Sequence, residues 1–185
     1  MKKIIKLITI TIIALILNIV IFSHTVQALE QQQISIYTKG NFDRFLKYNG
    51  VLIKTANAVY ADNGKEYPAY CLNVELTGVG DKIAPYETIN NGKITDVGLW
   101  RVIINGYPYK SLESLGVISE EEAYTATKQA IYCYIYNRDT SGYEGTNDAG
   151  NRTLNAMRII LENAKNSTET LEVQSANIIS DEKWK

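Results

Sequence analysis

Ser119–Asn137 reads S-E-E-E-A-Y-T-A-T-K-Q-A-I-Y-C-Y-I-Y-N, and the pattern predicts a helix with a marked beginning. Ser119 followed three residues later by Glu122 makes a capping box, and Glu120 and Glu121 set negative charge at the positive end of the helix dipole. No Pro or Gly interrupts the stretch before Asn137. At about 3.6 residues per turn, Ala123, Thr127, Ala130, Ile131 and Tyr134 share one stripe, and Thr125, Gln129, Tyr132, Cys133 and Tyr136 share another nearly opposite. Both faces need cover. So little charge beyond the first turn reads as a helix buried between layers.

Working outward, short helices are expected on its N-terminal side. Thr95 or Asp96 caps one running through Val97, Trp100, Ile103 and Ile104, ended by Asn105-Gly106 and stopped by Pro108. Ser111 to Leu115 is another helical turn. Upstream, β-prone runs at 33–38, 51–54 and 58–60 read as strands. Asp62-Asn63-Gly64 then turns a hairpin whose second strand is expected to carry Cys71, with Tyr67, Ala69 and Asn73 on the same face. Pro68 puts the start of that strand at an edge. Residues 78–91 read as a loop. Beyond Asn137 a polar loop leads to a helix capped by Asp148, with Leu154, Met157, Ile160, Leu161 and Ala164 on one face. Residues 170–179 return to a strand-like pattern, which needs a partner: either the N-terminal sheet or a continuation of the chain. The fold class is α+β, a sheet or sandwich-like portion from strands at both ends with a helical group between them.

The first 28 residues read as an export signal: Lys2, Lys3 and Lys6, then an apolar run from Leu7 to Phe22, then Val26-Gln27-Ala28, with cleavage expected after Ala28. An uncleaved membrane anchor is the competing reading of that segment. Residues 29–185 are expected to form one domain, cut short at its C-terminus or followed by more chain. Cleavage removes the sole histidine, His24, and leaves 16 basic against 20 acidic residues, a net charge of −4. Without histidine, intramolecular Ser-His-Asp and Cys-His catalysis and histidine-containing metal sites are excluded. The acidic balance argues against nucleic acid as a partner. Cys71 and Cys133 stand in no C-x-x-C pair; in an exported chain a disulfide between them is one reading and free thiols another.

Three stretches in this order resemble the thioester domain of Gram-positive surface adhesins. They are P-A-Y-C-L-N (Pro68 to Asn73), R-V-I-I-N-G-Y-P (Arg101 to Pro108) and E-A-Y-T-A-T-K-Q-A-I-Y (Glu122 to Tyr132), the last similar to the family's T-Q-x-A-I-W helix. The resemblance implies a cysteine thiolate that attacks a glutamine carboxamide, expels ammonia and stores an internal thioester. A host amine then displaces the cysteine, in a single-use coupling rather than enzymatic turnover. Carried onto this sequence, it implies a thioester between Cys71 and Gln129, with Tyr70, Thr127, Lys128 and Tyr132 as supporting residues. It also implies a monomer at the cell surface or cell wall, a host surface or matrix protein as partner, and neither cofactor nor metal. One departure stands out. Aligning Thr127, Ala130, Ile131 and Tyr132 with the family motif puts Lys128 where the family has its thioester glutamine. Either the register shifts so that Gln129 is used, or the chain has lost the bond and binds without it, with Cys71 free or paired to Cys133.

Overall fold

The sequence folds into strands β1 (Ser35–Phe42), β2 (Leu46–Tyr48), β3 (Val51–Leu52), β4 (Thr55–Asp62), β5 (Lys65–Pro68), β6 (Ala84–Pro85) and β7 (Gly92–Lys93), then helices α1 (Val97–Ile104), α2 (Leu112–Leu115) and α3 (Glu120–Tyr136), and finally β8 (Tyr143–Gly145), α4 (Asp148–Asn166) and β9 (Asn177–Ile178). This computed structural model describes residues 35–42, 45–62, 64–75, 84–85, 92–171 and 177–178. Residues 1–28, expected as an export signal, and most of the 78–91 loop lie outside the described residues. An α+β fold is what the sequence pattern predicts.

Three antiparallel sheets carry the strands, ordered β5-β4-β1-β6, β3-β2-β8 and β7-β9. Asp62 pairs with Lys65 where the β4–β5 hairpin closes, and Gly64 adopts φ 77°, a left-handed conformation that glycine enters at no steric cost. Pro68 ends β5 on the edge of its sheet, where no ladder N–H is required of it. Among the described residues the C-terminal strand pairs with β7, Asn177 opposite Lys93 and Ile178 opposite Gly92, and not with β1 or β4.

Each helix begins at a side-chain cap, which supplies the first turn with an acceptor for N–H groups that lack a helical partner. Asp96 accepts from Gly98 and Leu99 at the start of α1, and these backbone N–H groups, with the Tyr134 hydroxyl, hold its carboxyl below the usual range. Ser111 caps α2, with Gly116 in the left-handed conformation past its end. Ser119 caps α3 as the sequence implies. Helix α4 is capped by Asn147, not by Asp148, because Asn147 has the extended backbone and its Oδ1 accepts from Gly150 N at 2.7 Å.

Helix α3 is the centre of the molecule. Every residue from Glu122 to Cys133 is buried except the half-buried Lys128. The core contains Ala123, Ala126, Ala130 and Ile131 of α3, Leu99 and Val102 of α1, Met157 and Ile160 of α4, and Leu46 of β2. Small alanines on α3 admit close approach of its neighbours. Glu122, read from sequence as part of the helix start, is instead 3% exposed and receives Nε and Nη2 of Arg152 at 2.9 and 2.7 Å. Its carboxylate thus bolts α3 to α4, while its own N–H still goes to Ser119 Oγ at 3.2 Å.

Candidate functional site

Four residues one helical turn apart, Tyr124, Lys128, Tyr132 and Tyr136, form a continuous stripe along α3. The segment that follows β5 runs beside it. Tyr124 Oη donates to Ala69 O at 2.7 Å and accepts from Ala58 N at 3.2 Å; at the other end, Tyr136 Oη donates to Leu72 O at 3.0 Å and accepts from Val74 N at 3.1 Å. Tyr70 stacks on Tyr124 with ring centroids 4.8 Å apart. Cys71 lies between these anchor points. It is in electrostatic reach of Tyr124, Lys128 and Tyr132.

The sequence pattern predicts a strand through Cys71, but β5 stops at Pro68. Only Ala69 N, bonded to Ala58 O at 3.0 Å, continues toward β4. The tyrosine hydroxyls of α3 take over from a strand partner, satisfying backbone groups that an irregular segment would otherwise leave open. Cys71 is half-buried, and its thiol donates to Asn73 O at 3.1 Å.

The N-G-Y-P turn closes the site from a third side. Tyr70 Oη donates to Tyr107 O at 2.7 Å, and Tyr107 N donates to Thr127 Oγ1 at 2.9 Å. A side chain at Gly106 would place its Cβ 2.4 Å from Thr127 Cγ2, so only glycine lets the turn dock this closely. The Tyr107–Pro108 peptide is cis. Tyr70 and Thr127, expected as supporting residues, therefore position the turn against the helix.

Lys128 is the stripe residue beside Cys71. Its Nζ reaches Ala56 O at 3.4 Å and sits 6.0 Å from the Tyr124 ring centroid. Burial pushes its pKa down, opposed by attraction to an ionised Cys71. No salt bridge to it occurs among the described residues. The sign of the consequence follows from linkage. Between the lowered folded value and 10.5 the unfolded chain binds more protons, so stability should rise with pH through that window. Urea midpoints measured over a pH series are expected to climb for the native protein and to climb less for Lys128→Met; parallel curves would dismiss the effect.

Gln129 is placed elsewhere. It is 2% exposed, and its Oε1 accepts from Tyr143 Oη at 3.2 Å. Tyr143 is itself 3% exposed, its ring tilted by 43° against that of Tyr48 with centroids 4.5 Å apart, and approached by Arg138. Cys133 shares this side, hydrogen-bonded with Tyr143, and burial raises its pKa. In this structure Cys71 and Cys133 carry free thiols. Adjacent helix positions differ by about 100°, which is why Lys128 and Gln129 address different neighbours. Tyr143 was not singled out by the sequence pattern; its β8 position between two glycine-rich turns carries no periodic signal.

The sequence profile of the thioester domain matches residues 68–166, more than half of the chain. No curated protein sequence matches. Among solved structures, the Bacillus anthracis TIE protein superposes with TM-score 0.59 at 21% identity, covering 76% of this chain and 25% of that one. The thioester domain of the Enterococcus faecium TIE86 protein gives 0.58 at 19% identity, covering 75% and 52%. The N-terminal thioester domain of fibronectin-binding protein SfbI from Streptococcus pyogenes gives 0.50 at 17%, covering 80% and 85%. At these identities the structural likeness speaks of the fold. This chain spans about a quarter of the first of these proteins and about half of the second. With the profile covering the Cys71 segment, the N-G-Y-P turn and all of α3 and α4, the chain belongs to the thioester domain family.

Proposed function

We propose that the protein is an exported, surface-displayed adhesin module that binds a host protein without storing an internal thioester. The observation that carries this reading is Lys128 on the stripe beside Cys71. An amine has no carbonyl to acylate a thiol, while the carboxamide of Gln129 is held on another side of α3 by Tyr143. Export rests on the N-terminal segment with cleavage after Ala28, and a monomeric state is part of the same reading. The streptococcal neighbour is named a fibronectin-binding protein, so matrix proteins are the first partners to test.

The covalent reading, a Cys71–Gln129 thioester that couples to a host amine, draws on family membership. It requires α3 to turn by about 100° at that point and to break the Tyr143 hydrogen bond. Intact mass of the purified exported protein separates the two. We expect the full mass of the cleaved sequence, with Cys71 open to alkylation and no uptake of methylamine. A native chain one ammonia lighter than a Cys71→Ala control would reject the thioester-free reading.

A further inference from the structure

Tyr124 and Tyr136 hold the Cys71 segment along the stripe that carries Lys128, and the two nucleophiles on it invite a different bond. We propose that Cys71 and Lys128 join through a reversible sulfur–nitrogen bond when the exported protein meets a small peroxide, tying the Cys71 segment to α3. This rests on the reading that no thioester occupies Cys71.

Four features support it. The Cys71 thiol is half-buried and so open to a small oxidant, while its one hydrogen bond, to Asn73 O, leaves the sulfur's lone pairs free. Lys128 is half-buried, without an ion pair among the described residues, and burial pushes its pKa down, which eases loss of the proton that an attacking amine must shed. The buried Thr125 hydroxyl, one turn before Lys128, has no hydrogen-bond partner and is the one such buried side-chain atom among the described residues. By helical spacing it lies on the Tyr132 side of α3, available to a leaving hydroxyl or a new N–H. The competing thiol, Cys133, is buried against Tyr143 on another side of the helix. An oxidised Cys71 therefore meets an amine before it meets a thiol.

The chemistry balances as a two-electron oxidation in two steps. Cys71 thiol and one peroxide give the sulfenic acid and one water, the sulfur being oxidised and the peroxide O–O bond reduced. The Lys128 nitrogen lone pair then attacks that sulfur, the S–O bond breaks, the amine proton leaves with the hydroxyl as a second water, and an S–N bond remains. A thiol reductant reverses it by attack on sulfur, returning the amine and, after a second thiol, free Cys71.

The test is hydrogen peroxide treatment of the purified exported protein in a Cys133→Ser background, read by intact mass and peptide mapping. The expected result is a loss of two hydrogens, reversed by dithiothreitol, with the Cys71 peptide cross-linked to the Lys128 peptide. Lys128→Met and Lys128→Arg in that background should not form the link and should instead gain oxygen irreversibly at Cys71. The same cross-linked peptide from wild type guards against a Cys133→Ser variant that folds poorly. Failure of the two-hydrogen loss, or its persistence in both Lys128 variants, overturns the proposal. The mass before peroxide keeps the two readings apart: an ammonia deficit there rejects the thioester-free function, whereas full mass followed by no cross-link rejects only this bond.

Discussion

Replacing Lys128 by Gln is expected to install a thioester at Cys71. The variant should leave purification one ammonia lighter than its composition, resist alkylation at Cys71 and take up methylamine, none of which the wild type should do. The argument is positional. Tyr124 and Tyr136 pin the backbone on either side of Cys71, through Ala69 O and Leu72 O, so the thiol is delivered to the middle of the stripe whatever residue occupies 128. Holding a thiolate against a carboxamide in this way substitutes for concentration, with effective molarities on the order of 10⁵ M and above for well-oriented pairs. Gln129→Ala added to Lys128→Gln should leave the mass deficit intact, and Cys71→Ala should abolish it. A folded Lys128→Gln protein at full mass would mean that the segment does not present Cys71 to this position.

The largest expected loss of stability comes from Arg152→Met. Glu122 is 3% exposed and takes both of its close hydrogen bonds from the Arg152 guanidinium, with Ile118 N more distant at 3.4 Å. Removing the arginine strands a buried carboxylate, and because Arg152 is itself one-third exposed and lets water follow, the cost is about 1–3 kcal/mol. For a domain of this size the melting temperature should fall by several degrees. Adding Glu122→Leu should return much of the loss, since a buried pair exchanged for apolar groups is close to neutral. Urea unfolding of the two single variants and the double variant completes the cycle, and a single-variant change below about 1 kcal/mol would show the pair to be solvated. The pair also sets the registry of α3 against α4, and hence the side of α3 on which Lys128 emerges.

Much of this fold is legible without coordinates because its signals are local. Ser119 and Asn137 bound α3, Asp96 starts α1, and Gly64 turns the hairpin, each through a side chain or glycine acting within a few residues of its own position. The site is less legible. The Cys71 segment looks like a strand by composition, yet its backbone is satisfied by tyrosine hydroxyls that arrive from more than fifty residues away. Glu122 looks like a capping residue, and only the approach of α4 turns it into a buried ion pair.

The sequence alone determined where α1 and α3 begin and the offset between Lys128 and Gln129, because these depend on residue identity and a fixed helical period. Which of those two neighbours Cys71 meets was decided by tertiary structure. It depends on the rotation of α3 about its own axis, set by Tyr124 and Tyr136 on the Cys71 segment, by Tyr143 on Gln129 and by Arg152 on Glu122. Those contacts are long-range, and no local pattern in the chain encodes the angle they impose.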